Sequence, residues 1–149
     1  MDVGMVVTTT ETLPQNHATT LQRLDQSIQR VVLDRQDPIS GLLPASTAHT
    51  IHGNYGDAWV RDCVYSVQCV WGLALAHRRQ QGQNSLRAWE LEQRVVALMR
   101  GLMRSMMRQA QKVERFKKSL NPLDALHAKY DSCTGCLLYT SPSPRDTNE

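Results

Sequence analysis

The sequence predicts an all-α protein that forms the opening part of a larger helical domain. Three segments carry apolar residues at helical spacing, and the middle segment is apolar around nearly its whole circumference. A helix of that kind belongs inside a structure, with neighbours on every side. Three helices cannot surround their own middle member, so we expect it to stay partly exposed in this chain of 149 residues.

The first predicted helix follows a Thr-rich leader. Residues 1–18 show no periodicity, and we expect them to be disordered. An apolar face then recurs at helical spacing through Leu21, Leu24, Ile28, Val31 and Val32. The pair Asp37-Pro38 ends this helix, because the residue before a proline is pushed out of the helical conformation.

A long loop over residues 37–57 separates the first two helices. A loop of that length is either functional or disordered. Leu42 and Leu43 within it indicate that the loop packs onto the core.

The second helix is predicted from near Asp57 to near Arg79, and the third from a cap at Asn84 or Ser85 to about Arg115 or Phe116. Residues 81–84 form the turn between them. The apolar face of the third helix consists of Leu91, Val95, Leu98, Met99, Leu102, Met106, Ala110 and Val113.

A basic stripe marks the other side of the third helix, at Arg100, Arg104, Arg108 and Lys112. A basic, amphipathic, Met-rich helix is typical of calmodulin targets and of membrane-surface helices. The same pattern is also typical of an outer helix whose charges are solvated and whose methionines fill the core. Glu92 and Glu114 interrupt the basic face, which favours the outer helix.

The composition excludes several classes of protein. The net charge of +3 and the lack of aromatics among the basic residues argue against nucleic-acid binding. The sequence contains neither a transmembrane segment nor a signal peptide, so we expect four reduced cysteines in a cytoplasmic protein. His49 and His52 lack metal-ligand spacing and are interpreted as solvated loop residues, and we expect no metal and no cofactor.

The end of the chain changes character near Cys136. Cys133 and Cys136 form a CxxC, but no second pair of ligands accompanies them, and we interpret the spacing as coincidental. The string CLLYTSPSPRD resembles the translation of sequencing-adapter DNA. We therefore exclude residues 136–149 as a non-native tail, with a genuine disordered terminus as the alternative.

An adjacent Arg61-Asp62 pair lies where the loop enters the apolar second helix. Charges placed there are costly unless they are paired or meet a polar ligand. A carboxylate and a guanidinium can hold sugar hydroxyls while the ring of Trp59 covers the sugar face. The alternative is a helix cap with a buried ion pair and a core tryptophan, and spacing alone favours that alternative.

Four stretches in order carry a resemblance to a known family: GLLPAS at 41–46, DAWVRDCVYSVQCVWGLALAHR, WELEQRVVALMRGLMRSMMRQAQKVERFKK and DALHAKYD. Together they resemble the N-terminal region of phosphorylase b kinase regulatory subunits, alpha and beta type, and of their bacterial relatives. That region is similar to glucoamylases of glycoside hydrolase family 15. The resemblance spans roughly residues 20–135, so we expect residues 19–135 to be the N-terminal part of such a domain.

The resemblance implies a fold and a sugar pocket. The fold is an (α/α)6 barrel of alternating inner and outer helices, of which this chain would supply an outer, an inner and an outer one. In glucoamylases a Trp-x-Arg-Asp motif lines the innermost sugar subsite, and Trp59, Arg61 and Asp62 match it. Lys129 and Tyr130 are similar to a Lys-aromatic element near the same pocket. The loop between Ser46 and Asp57 is longer than in the animal subunits.

The resemblance also implies a function without a complete catalytic site. Inverting hydrolases need two carboxylates on opposite sides of the scissile bond. In the family both lie downstream of this region, and Glu90, Glu92 and Glu114 do not match them. We expect a carbohydrate-binding regulatory module of glycogen metabolism that binds a glucan or maltooligosaccharide end, with a kinase catalytic subunit or calmodulin as partners of the longer protein. The alternatives are part of an inverting glucan hydrolase and a purely structural helical module.

Overall fold

The computed structural model describes residues 13–47, 49–50 and 53–138, with side chains over residues 17–47 and 55–138. Helices make up most of this part, which confirms the predicted all-α class. They are α1 (Leu13–Val31), α2 (Val60–Gln81), α3 (Leu86–Met107) and α4 (Ala110–Ser119), with short 3-10 helices at Leu33–Arg35 and Pro122–Asp124.

Two short antiparallel ladders accompany the helices. β1 (His49–Thr50) pairs with β2 (Gly53–Asn54) inside the long loop. β3 (Ala58–Trp59) pairs with β4 (Lys129–Tyr130), with Ala58 opposite Tyr130 and Trp59 opposite Lys129. The second ladder therefore joins the start of α2 to the segment that follows α4.

The core lies between α2, α3 and the loop before α2. Its most completely buried large side chains are Leu42, Cys63, Val70, Leu91, Leu98 and Tyr130. The burial of Leu42 and Leu43 confirms that the long loop packs onto the core. The loop backbone comes so close to α3 that Gly41 and Gly101 have no room for a side chain.

A charged cluster ties α1 to α2 and α3. Asp25 accepts hydrogen bonds from Arg87, and its carboxylate lies 2.9 Å from Nε2 of the buried His77. Burial by itself raises the pKa of Asp25, but the hydrogen bonds and charges of Arg87 and His77 outweigh it and hold that pKa below its ordinary value. No local pattern predicts this cluster, since its three residues are far apart along the chain.

The first helix differs from its prediction at both ends. It begins at Leu13, so part of the predicted disordered leader is helical, and residues 1–12 lie outside the described part. It ends at Val31, ahead of Asp37-Pro38, because the chain first turns through the 3-10 helix. Leu24 and Val31, both predicted on the apolar face, are half exposed.

The third predicted helix is two helices. Ser85, one of the two predicted caps, caps α3 by accepting the N–H of Ala88. The chain then bends at Arg108 and Gln109 before α4 begins. The bend interrupts the predicted basic stripe, and Lys112 on α4 is buried.

The apolar faces of α2 and α3 extend beyond the core. Trp71 and Leu75 of α2 are half exposed, as expected for a middle helix that its two neighbours cannot cover. Met99 and Met106 of α3, predicted in the core, are 49% and 38% exposed. The prediction that methionines fill the core is therefore wrong for these two.

Described contacts continue past residue 136, where the tail is predicted to begin. Leu137 forms a bridge with Tyr130 and packs against the core, and the Leu138 N–H donates to the Lys129 carbonyl. Residues 139–149 lie outside the described part. Cys133 and Cys136 are free and exposed, and the described residues contain no group of three potential metal ligands. None of the described helices has the length and apolarity needed to cross a membrane.

Candidate functional site

Trp59 and Lys129 face each other across the β3–β4 ladder. Lys129 Nζ lies 5.6 Å from the centroid of the Trp59 ring, within the range of a cation–π interaction. The same ammonium lies 2.8 Å from Asp57 Oδ2, and both side chains of this ion pair are mostly shielded. An aromatic ring, an ammonium and a carboxylate are therefore held together at the start of α2.

Arg61 and Asp62 occupy the first turn of α2, as predicted. A carboxylate there is stabilised by the positive end of the helix dipole. Arg61 Nη2 lies 3.4 Å from Asp62 Oδ2, with the two side chains 74% and 31% exposed. Arg61 is therefore exposed and Asp62 partly exposed, so the pair is not buried within the described part of the chain.

The helix-cap alternative is wrong. The N-cap residue of α2 is Trp59, whose side chain makes no capping hydrogen bond. The Val60 N–H instead donates to the carbonyl of Ala128, in the segment that leads into β4. The ladder, and not a polar cap, stabilises this end of the helix.

Tyr130 does not reach the surface. Successive side chains of a strand point to opposite faces, so Tyr130 turns inward where Lys129 turns toward Trp59. Its side chain is fully buried, accepts a hydrogen bond from Gln109 Nε2 and donates one to the His127 carbonyl. Burial raises the pKa of its hydroxyl, partly offset by the bond from Gln109. Tyr130, expected to bind sugar, supports the strand from behind.

Other residues of the site had no signal in the sequence. Asp57 was predicted only as the start of α2, yet its carboxylate binds Lys129. Gln109 lies in what the sequence predicted as the middle of a helix, and its side chain reaches the same ladder. Both contacts join parts of the chain that are distant in sequence, so no local pattern reveals them.

The glutamates on α3 and α4 lie outside this cluster. Glu92 is held by Arg78 of α2, whereas Glu90 and Glu114 each pair with a cation one turn away on their own helix.

Comparison with known proteins identifies the family. The model of the family described as Glycosyl hydrolases family 15 matches residues 18–138. The chain belongs to glycosyl hydrolase family 15. The match ends at Leu138, where the described packing also ends.

Proteins similar to this family-15 chain include phosphorylase b kinase regulatory subunits, which confirms the resemblance to those subunits. The alpha subunit of the skeletal muscle isoform from Oryctolagus cuniculus is 46% identical over 121 residues, which are 80% of this chain and 9% of that protein. The probable alpha subunit of Drosophila melanogaster is 41% identical over 122 residues, again 80% and 9%. The probable beta subunit of Drosophila melanogaster is 35% identical over 127 residues, or 83% and 11%.

Proposed function

We propose that this family-15 chain is a carbohydrate-binding regulatory module that holds the end of a glucan or maltooligosaccharide. In this proposal it belongs to a cytoplasmic protein of the phosphorylase kinase regulatory-subunit type and serves glycogen metabolism. The observation that carries the proposal is the pairing of Trp59 with Lys129, next to the exposed Arg61 and the partly exposed Asp62. A ring face combined with charged hydrogen-bonding groups is the chemistry that grips a neutral sugar.

The weakness of the Arg61–Asp62 ion pair favours a ligand over a purely structural role. An exposed ion pair at 3.4 Å contributes about 0–1 kcal/mol to stability. Neither side chain makes another hydrogen bond within the described part of the chain. Their remaining donors and acceptors are therefore available to sugar hydroxyls.

The proposed partner of the longer protein is a kinase catalytic subunit, since the relatives are named regulatory subunits of phosphorylase b kinase. Calmodulin has weaker support as a partner. α3 exposes Met103 and Met107, a composition that suits an adaptable surface. However, the helix ends at Met107 and Lys112 turns inward, so the basic stripe that suggested a calmodulin target is not continuous.

An inverting glucan hydrolase is the alternative activity of the longer protein. Such an enzyme needs a carboxylic acid and a carboxylate on opposite sides of the scissile bond, with room for a water. In this chain Asp57 is engaged by Lys129 and Asp62 by Arg61. We therefore propose binding without hydrolysis for this chain.

Calorimetric titration with maltotriose tests the proposal. We expect wild type to bind, and Asp62→Ala and Trp59→Ala each to weaken the affinity about tenfold, the loss of roughly one charged hydrogen bond or one stacking contact. Because Arg61 is exposed, Asp62→Ala leaves no buried charge, so the loss of stability should stay near about 1 kcal/mol or less, from the ion pair and the helix dipole.

The matched control is Glu114→Ala, which removes an exposed ion pair on α4. It should leave the affinity unchanged. Absence of binding by wild type would overturn the proposal in favour of a structural module. Glucose release by the purified chain, abolished by Asp62→Asn, would establish the hydrolase instead.

A further inference from the structure

The bend between α3 and α4 directs one amide side chain toward β4. Gln109 is 3% exposed and has φ −93° and ψ 3°, which ends α3. Its carbonyl accepts the N–H of Val113 and so starts α4. The side chain of a buried glutamine must find partners for its amide, because an unpaired buried amide is costly.

The amide of Gln109 pairs with the backbone of His127 as a neighbouring strand would. Gln109 Nε2 donates to the His127 carbonyl at 2.9 Å, and the His127 N–H donates to Gln109 Oε1 at 2.9 Å. This reciprocal pair has the pattern of an antiparallel ladder. Gln109 Nε2 also donates to the Tyr130 hydroxyl at 2.7 Å. One side chain thus binds the segment 127–130 at both ends.

That segment is also bound from its other side. The Val60 N–H donates to the Ala128 carbonyl at 3.0 Å, and the ladder places Lys129 opposite Trp59. The segment 127–130 therefore lies between the side chain of Gln109 and the start of α2. If the contacts of Gln109 are removed, the segment that carries Lys129 loses its support on that side, while the ladder, the Asp57 ion pair and the Leu138 N–H bond to the Lys129 carbonyl remain.

We propose that Gln109 is a positioning residue of the sugar site: it holds the segment 127–130 so that Lys129 lies over Trp59. The geometric part stands on the contacts above, whereas the effect on sugar affinity rests on the proposed function. The role needs a side chain with both a donor and an acceptor at this length. Asparagine is one methylene shorter, and an ionised glutamate lacks the donor for the His127 carbonyl.

Gln109→Met tests the proposal, because methionine has a similar length and forms none of the three hydrogen bonds. The matched control is Gln111→Met, at an exposed position of α4. The first measurement is the proton NMR shift of the Lys129 ε-methylene, which the Trp59 ring should move upfield. We expect Gln109→Met to lose at least half of that upfield shift and Gln111→Met to keep it.

The second measurement is maltotriose affinity, which Gln109→Met should weaken about tenfold and Gln111→Met should leave unchanged. An unchanged Lys129 shift in folded Gln109→Met overturns the positioning role, whatever the affinity. A lost shift in a chain that never binds maltotriose supports the positioning role and refutes the proposed function.

If Gln109→Met does not fold, a measurement on the wild-type chain tests the positioning role of Gln109. Hydrogen exchange at the His127 amide should be slow, since its N–H is held by Gln109 Oε1. Protection of that amide supports the paired hydrogen bonds between the Gln109 side chain and the His127 backbone. Exchange at the rate of an unstructured peptide would show that this pair does not form, and the proposal would fail.

Discussion

Replacing each of two helical glycines by alanine should change stability in opposite directions. Gly72 lies in α2 and Gly101 in α3. Alanine is favoured over glycine inside a helix by about 1 kcal/mol, so propensity alone predicts that both variants are stabilised. The atoms around the added Cβ make the two variants differ in stability.

At Gly72 an added Cβ meets nothing within 4 Å. At Gly101 it would lie 2.2 Å from the Ser40 carbonyl oxygen and 3.1 Å from Leu42 Cδ2. Ordinary carbon–oxygen contacts begin at about 3.3 Å, so the Ser40 carbonyl must move by roughly 1 Å. A backbone oxygen cannot rotate away as a side chain can, and Ser40 is tied to Asp37 and to the Ser132 carbonyl.

Overpacking of this kind costs about 1–3 kcal/mol, and the larger values apply where the clash is with backbone. After the gain in propensity, Gly101→Ala should be destabilised by about 1–2 kcal/mol. Gly72→Ala should be stabilised by about 0.5–1 kcal/mol. The two variants should therefore differ by about 2–3 kcal/mol.

Urea unfolding followed by far-ultraviolet circular dichroism measures this difference through the transition midpoint, provided that the slope m stays constant. Equal stability of the two variants would refute the reasoning. It would mean that the loop at Ser40 yields to a methyl group, and thus that it does not pack tightly on α3.

Three further predictions can be checked on the same chain. Asp25→Asn should destabilise the chain near neutral pH and flatten its acid transition in urea titrations. Because the folded pKa of Asp25 is below its ordinary 3.8, its stabilisation is present above that pH and is lost as pH falls through the folded pKa. Tyr130→Phe should cost about 1–2 kcal/mol in thermal or urea unfolding, since it leaves the buried donor of Gln109 with one partner fewer. Truncation after Leu138 should leave the circular dichroism and solubility unchanged, whereas truncation after Gly135 should lower the stability because the Leu137 bridge is lost.

The existence of the helices and the cap of α3 were predictable from the sequence, because helical periodicity and capping are local properties. Ser85 lies directly before an apolar run and caps α3. The bend at Gln109 was not predictable. Its residues are good helix formers, and the bend coincides with the contacts of the Gln109 side chain to His127, which is distant in sequence.

The candidate site was predictable to the extent that its residues are neighbours along the chain. Trp59, Arg61 and Asp62 form one short motif, so the sequence placed them together at the start of α2. The exposure of Arg61 and Asp62 could not be derived from that motif. Whether a charge is buried depends on which other elements cover it, and those elements are remote in sequence.

The sequence by itself determined that the chain is helical, that α2 is apolar beyond what two neighbours can cover, and that an aromatic residue and a charged pair begin this helix. These properties follow from residue type and from spacing within a few turns. The tertiary structure decided that Lys129 faces Trp59 and binds Asp57 while Tyr130 turns inward. The reason is the register of a two-residue ladder, because a shift by one residue would exchange the inward and outward positions of Lys129 and Tyr130.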